Sequence, residues 1–452
     1  MKAIGLDIGT TSLSGICCDV HTGEVIRTIT QPHHAFLPST CSFDRVQNVP
    51  VLMDSVLEMA AALTAGQDDI ASIGITGQMH GIVYIDDTGR PVSNLITWQD
   101  GRGDLPYGKN ETYASCLKRI TGYELATGYG AVTHFYHTVN GLVPPEAVSF
   151  CTIHDLAAMA LTGTRKPLVH VSDAASLGLF DLERQAFDRQ AIARAGMDAD
   201  FFPAVERDIT LLGTTESGIP VAVAIGDNQA SFIGSAADVR DTVLVNIGTG
   251  SQISVAVPAY TGHTTQELRP LSRETYLLAG SPLCGGQAYA ILERFFRETA
   301  QAVTGMPIKS AYPAMDRLMN DMVAPENPLH VSTLFQGTRR DPSLRGHIGH
   351  IGTDNLTMKH LCYGVMQGMA EELHTMYEQM LPSLPAPPKR LVGSGNGIRS
   401  NAPLARLLEE TFGLPLLVPA NREEAAFGAA LCGMVAVGLY PGISEVGRLV
   451  RY

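Results

Sequence analysis

Two stretches of the chain share one pattern of apolar and polar positions. Gly5-Leu6-Asp7-Ile8-Gly9-Thr10-Thr11-Ser12 and Leu244-Val245-Asn246-Ile247-Gly248-Thr249-Gly250-Ser251 both pass from an apolar segment through one polar residue to Ile-Gly-Thr, a small residue and Ser. Short apolar runs that end at glycine are strand-like. Each copy continues into a second run, at 13–18 and 253–257, and then a third, at 25–30 and 276–279. His21-Thr22-Gly23-Glu24 predicts a hairpin turn between the second and third strands of the first copy. Each half of the chain is therefore expected to open on an antiparallel meander. A duplicated α/β architecture with a cleft between the copies follows. The small, polar stretch 235–241 predicts a boundary that divides the chain into 1–236 and 237–452.

Other segments fill out the α/β reading. Ile73-Gly74-Ile75-Thr76 and Ile82-Val83-Tyr84-Ile85 read as strands. Apolar residues at 361, 365, 369, 373, 376 and 380 have helical spacing. In 401–413, Pro403 near the start, one face of Leu404, Leu407, Leu408 and Phe412, and a closing Gly413 predict a second helix. Asn421-Arg422-Glu423-Glu424 predicts a capping box before an Ala-rich apolar run at 425–440. That run is broken by glycines and falls short of the ~20 residues that span a bilayer, so it predicts a buried core helix.

At 452 residues, 45% hydrophobic and 17% charged, the chain fits two or three globular domains and excludes disorder. Its net charge of −13 disfavours nucleic acid as a partner. A phosphate ligand would then need local donors, such as backbone amides at turns and helix starts. Eight cysteines without a C-x-x-C pair predict reduced, mostly buried thiols in a cytoplasmic protein. The first residues carry neither a long apolar run nor a cleavage site, and no membrane partner is expected.

The Gly-Thr turns are the first candidates for chemistry. Glycine lets backbone amides approach an anion, and Thr or Ser adds hydroxyls. Two facing copies could grip a polyphosphate, whereas one alone would pass as an ordinary hairpin. Asp7, at a strand end in the first copy only, could hold hydrated Mg²⁺. Gly226-Asp227-Asn228 follows an apolar strand, and Asp227 could accept a proton from a hydroxyl nucleophile, cap a helix, or do both. Thr76-Gly77-Gln78-Met79-His80-Gly81 and Thr97-Trp98-Gln99-Asp100-Gly101-Arg102 combine directional polar groups with the only Trp, a mixture that suits a sugar. Gly393-Ser394-Gly395-Asn396-Gly397 could approach a ring or ribose, or be a simple strand-to-helix loop. The chain has no Walker-type loop, no G-x-G-x-x-G after a strand and no G-x-S-x-G elbow. Its paired histidines, at 33–34, 134/137 and 347/350, lack the context of a metal cage.

Taken in order, these motifs resemble the FGGY family of carbohydrate kinases, within the actin–hexokinase–Hsp70 superfamily. The resemblance implies two ribonuclease-H-like α/β domains around a cleft, with sugar mainly on the first and ATP mainly on the second. It implies that Asp227 is the catalytic base and that Asp7 lies near Mg²⁺. Gly9, Thr10, Thr11, Ser12, Gly248, Thr249 and Gly250 would hold the transferring phosphoryl group. Gly286, Gly393, Gly395 and Asn396 would complete the ATP site. Gln78, Met79, His80, Trp98, Asp100, Arg102, Asp227 and Asn228 would line a ketose pocket. The wording of Gln78 to Gly81, of Trp98 to Arg102, of Thr152-Ile153-His154-Asp155 and of Gly285-Gly286 is similar to members that phosphorylate sedoheptulose. Members that act on xylulose share the Met-His pair and the Asp after Gly226. Ser394 splits glycines that are usually adjacent in the family. Members are often homodimers. A sensor or chaperone-like ATPase on the same fold is the alternative from another class, and it would have no need of Asp227.

Overall fold

Strand alternation decides which side of each sheet meets which helices. In the computed structural model, which describes all residues except 263, 265, 321, 322, 339, 340 and 342, the first meander is Lys2–Ile8, Ser12–Asp19 and Val25–Pro32. Its second turn is closed by Asp19, whose Oδ1 accepts from the amides of His21 and Thr22 at 2.9 Å, with Gly23 at φ 70°. Ile70–Gly77 joins Lys2–Ile8 in parallel, and Ile225–Gly226 pairs with the end of Ile70–Gly77. The second sheet repeats the plan. Thr242–Ile247, Ser251–Val257 and Tyr276–Gly280 form the meander, and Arg390–Ser394 runs parallel to Thr242–Ile247. Asp7 stands in register with Thr76, as Asn246 does with Ser394. Between the halves, the chain leaves the helix Asp227–Ser235 and enters the second sheet through a short turn, Val239–Asp241.

On Lys2–Ile8, the side chains of Ile4, Leu6 and Ile8 share a core with the helices Val49–Thr64 and Ile153–Thr162. Ala3, Gly5 and Asp7 alternate to the opposite face. In the second sheet, Val243, Val245 and Ile247 pack with Met358–Met380 and Ala402–Phe412, which leaves Leu244 and Asn246 on the other side. Two helices, Asp227–Ser235 and Glu424–Ala436, fill the space between the sheets. They form one core with Ala3, Ile16 and Cys18 of the first sheet and Leu244, Ala256 and Val392 of the second. The fold is thus two actin-like α/β domains, with helices outside and a shared helical layer between them. Val83–Ile85 forms as expected but pairs with Ser149–Cys151 outside the main sheet. It belongs to an insertion with its own core of Tyr84, Phe135, Phe150, Leu177 and Phe202.

The helix predicted at 401–413 is Ala402–Phe412, capped by the Asn401 side chain and closed by Gly413 at φ 64°. The capping box expected at 421–424 is absent. The helix begins at Glu424, and the residue before it, Glu423, makes no side-chain cap bond. The acids are used elsewhere: Glu423 accepts from the Thr30 hydroxyl at 2.9 Å, and Glu424 from Arg399 at 2.7 Å. Arg399 also donates to the carbonyls of Pro419 and Asn421. These bonds fasten the start of the helix to both halves, and they leave its first amides without the carboxylates that the pattern offers. All eight cysteines are free and only Cys41 is exposed. Among the described residues no helix is long and apolar enough to cross a membrane.

The helical layer is held at backbone contact. A Cβ at Gly428 would stand 1.8 Å from the Ala230 carbonyl oxygen, and one at Gly234 would stand 2.0 Å from that of Glu424. Cβ atoms at Gly5 and Gly74 would stand 1.8 and 1.7 Å from the carbonyls of Ala426 and Ala429. In an open helix, Gly→Ala adds up to about 1 kcal/mol of stability. At this crossing the sign reverses: Gly428→Ala is expected to cost about 1–3 kcal/mol in chemical denaturation. An unchanged or raised midpoint would contradict the close crossing.

Candidate active site

Three parallel strands end side by side, and a chemical group follows each end. After Lys2–Ile8 comes the Gly9-Thr10-Thr11 turn; after Ile70–Gly77 come Gln78, Met79 and His80; after Ile225–Gly226 comes Asp227. Carboxyl ends of parallel strands are where open α/β sheets bind ligands. Asp227 is the first residue of its helix and Gly226 is the cap, so the carboxylate sits at the positive end of the helix dipole without serving as the cap. Met79 lies against Gly226, where a Cβ would meet its Cε at 2.6 Å.

The first Gly-Thr turn is held by its carbonyls. His33 Nε2 donates to Gly9 O at 3.0 Å, Gln47 Nε2 donates to Thr10 O at 2.7 Å, and the His33 amide donates to Thr11 O at 3.1 Å. Gln78 reaches both Gly9 O (3.4 Å) and Gln47 Oε1 (2.9 Å). Ser12 opens the next strand. The second turn is held in the same way. The amides of Gly286 and Gln287, at the start of the helix Gly286–Thr304, donate to Gly248 O and Thr249 O at 3.0 Å, and Gly248 N donates to Gly250 O at 3.0 Å. With their carbonyls tied back, both turns keep hydroxyls and, apart from the Gly248 amide, amides that could meet a ligand. In the third glycine loop, Gly393 lies inside the strand Arg390–Ser394. Gly395, at φ 85°, passes so close to Ile247 O that a Cβ would sit 2.5 Å from it. Asn396 opens the short helix Asn396–Arg399, and Ser394 accepts from Asn246 at 2.8 Å.

His80 adopts φ 70°, which a side chain rarely takes and which costs on the order of 1–3 kcal/mol. It is held there by Nδ1–H donating to Ser176 O at 2.7 Å, by its amide donating to the Ser176 hydroxyl at 3.3 Å, and by stacking on Tyr129 at 4.7 Å. Trp98 remains 45% exposed and donates from Nε1 to the Thr10 hydroxyl at 3.0 Å, which ties the sugar-type loop to the phosphate-type turn. Asp100 is fully buried. Its oxygens accept from Arg102 Nε at 2.6 Å, from Arg102 Nη2 at 3.0 Å and from the Arg45 amide at 2.9 Å. Arg102 also contacts His137. This buried ion pair frames the turn that presents Trp98.

Beneath these loops lies a cluster of buried charge. Asp7 is pushed up to about 7, chiefly by burial and then by Asp227 and Glu423. Asp227 is pushed up to about 6 by burial, with Asp173 adding to the shift and His154, Arg269 and the Asn228 amide opposing it. His154 is raised to about 9: burial acts against its charge, and Asp173, Asp155 and Asp227 outweigh it. Among the described residues, Asp7 Oδ1, Thr76 Oγ1, Gln78 Oε1 and Asn228 Oδ1 are buried without a hydrogen-bond partner. Unpartnered buried oxygens at a cleft are what a hydroxyl-bearing substrate or a hard cation would satisfy.

Two family descriptions together match almost the whole chain. The N-terminal domain of the FGGY family of carbohydrate kinases matches residues 2–245, and the C-terminal domain matches 241–437. The chain belongs to this family. It is a carbohydrate kinase, and kinases of the family use ATP. It is 28% identical to human sedoheptulokinase over 86% of either chain, and 24% identical to a glycerol kinase of Aquifex aeolicus over 98% of this chain and 91% of that one. Its fold matches xylulose kinase from Rhodospirillum rubrum (TM-score 0.83, 22% identity, 100% and 93% of the two chains). It also matches Plasmodium falciparum glycerol kinase solved with ADP (TM-score 0.80, 16% identity, 100% and 93%).

Several residues of the kinase site carry no motif of their own. His33, Gln47 and Tyr129 act through backbone contacts and stacking that only the fold brings together. Arg269, paired with Glu267 at 2.6 Å, comes from the second half to face Asp227. Gln47→Leu removes the donor to Thr10 O and the acceptor for Gln78, and it is expected to cost about 1–3 kcal/mol in urea unfolding. A change below a few tenths would show that the first turn does not depend on it.

Proposed function

We propose that this kinase transfers the γ-phosphoryl group of ATP to the terminal primary hydroxyl of sedoheptulose, giving sedoheptulose 7-phosphate. The observation that carries the chemistry is Asp227, a buried carboxyl raised to about 6 at a helix start, beside the unpartnered oxygens of Gln78 and Asn228. Its placement lets it take the hydroxyl proton as that oxygen attacks phosphorus. The match to sedoheptulokinases of human and mouse, over 86% and 95% of this chain, supports the substrate.

In this reading, residues 1–236 mainly bind sugar and 237–452 mainly ATP. Gln78, Met79, His80, Trp98 and Asn228 contact the ketose with Asp227, while Asp100 and Arg102 shape the wall behind Trp98. Gly9, Thr10, Thr11 and Ser12 face Gly248, Thr249 and Gly250 across the phosphates, with Gly286 bracing the second turn. Gly393, Gly395 and Asn396 take the adenosine side. Asp7, with one unpartnered oxygen, is the residue that would hold Mg²⁺, and the metal would neutralise phosphate charge. The free cysteines suit a reducing cytoplasm.

Asp227→Asn is expected to lower kcat by about 10²–10⁴-fold in coupled ADP release. Near-normal turnover would overturn the base assignment. On a panel of sedoheptulose, D-xylulose, D- and L-ribulose, D-fructose and glycerol, kcat/KM is expected to be highest for sedoheptulose. A preference for xylulose would retain the chemistry and replace the substrate. Because Asp227 must be ionised to accept a proton, kcat/KM is expected to fall below a pH of about 6, by about tenfold per unit. Activity that stays flat down to pH 5 would mean that another group accepts the proton.

A further inference from the structure

The kinase chemistry above makes no use of a fully buried ion pair that lies directly beneath it. His154 Nε2 and Asp173 Oδ1 stand 3.1 Å apart, and both side chains are completely shielded from solvent. They meet as a charge pair at the bottom of the site. His154 is in the first turn of the helix Ile153–Thr162, packed under the strand ends: a Cβ on Gly77 would stand 3.0 Å from its Nδ1. Asp173 is tied to the site by a second route. Its Oδ2 accepts from the Ser172 hydroxyl at 3.1 Å, and that hydroxyl oxygen accepts from the Gly226 amide at 3.0 Å. Gly226 is the residue before Asp227. The pair therefore touches two of the three strand ends that build the site.

The charge count around His154 argues for a role beyond packing. Asp155 faces it from its own helix, Asp173 from Val171–Leu177, and Asp227 from the start of the middle-layer helix. Asp7 feels it from the first strand. Asp155 is engaged with Thr152, and Asp7 also faces Glu423. On the other side, Asp227 faces Arg269, which is shared with Glu267. An acidic group buried among other acids takes up a proton unless a cation lies close by, and a protonated Asp227 cannot accept one from a sugar.

We propose that His154 is a positioning residue, a charged imidazolium clamped by Asp173 that keeps Asp227 ionised and aimed from beneath. The proposal rests on Asp227 being the base. His154→Gln removes the charge and keeps a polar side chain of similar reach. In ketose-dependent ADP release at saturating MgATP, its acid limb in kcat/KM is expected to move up by about one pH unit. The variant would then lose about fivefold at pH 6, approach a tenfold loss below about pH 5, and converge with the unaltered enzyme at alkaline pH. A superimposable profile, or an equal loss at every pH, would overturn the proposal. An inactive Asp227→Asn alongside an unmoved His154→Gln profile would sink this inference alone, whereas an active Asp227→Asn would sink the base assignment. If His154→Gln does not fold, the unaltered protein decides. Side-chain ¹⁵N spectra are expected to retain one doubly protonated imidazole at pH 8, and only neutral rings there would refute it.

Discussion

Glycine-to-carbonyl contact in the layer between the sheets sets the spacing on which the other features depend. Gly428 rests on the Ala230 carbonyl and Gly234 on that of Glu424, so Asp227–Ser235 and Glu424–Ala436 cross with no side chain between them. Strand alternation points Asp7 and Asn246 into the same layer, each at the end of the first strand of its sheet. A thicker layer would separate the two Gly-Thr turns. The helix that makes the crossing is also the one that carries Asp227 at its start. The close crossing and the proposed proton acceptor therefore belong to one helix.

The second constraint is electrostatic. A chain of net charge −13 that is proposed to hold a polyphosphate carries no basic residue in either Gly-Thr turn. The turns answer this with geometry. His33, Gln47, Gln78, Gly286 and Gln287 each engage a carbonyl, which leaves outward amides as the donors. Burial raises the nearby carboxyls Asp7 and Asp227 to about 7 and about 6. Two cationic side chains, His154 and Arg269, oppose the shift at Asp227, and the proposed role of His154 rests on this.

The duplication and the two opening meanders were legible because each rests on a local pattern. Ile-Gly-Thr appears twice, and Gly226-Asp227 follows an apolar run. The helix at 401–413 carries its own cap and stop. What the pattern could not show is what lies across from a residue. Glu423 and Glu424 read as a capping box, yet the fold spends them on Thr30 and Arg399, partners far away in the chain. Nothing in the pattern around Asp100 and Arg102 showed that the two bond each other. Gln47 and His33 have no periodicity or motif, and their importance comes only from the carbonyls they reach. Gly5 and Gly74 were legible as glycines within strands, but the need for them comes from a helix more than 300 residues further on.

That last contact has a bearing on how the chain comes to exist. The first sheet leaves the ribosome well before Glu424–Ala436, the helix that one of its faces is shaped to receive. The segment beyond it also reaches back, with Tyr440 donating to Val20 O at 2.6 Å and Arg451 to Thr22 O at 3.0 Å. During synthesis the amino-terminal half must therefore wait with a groove open along its strands, exposing apolar surface that a domain completed in order would already have covered. Vectorial translation and the topology of the product run in opposite senses here, and the interval between them is the period in which a nascent chain of this architecture has most need of a chaperone.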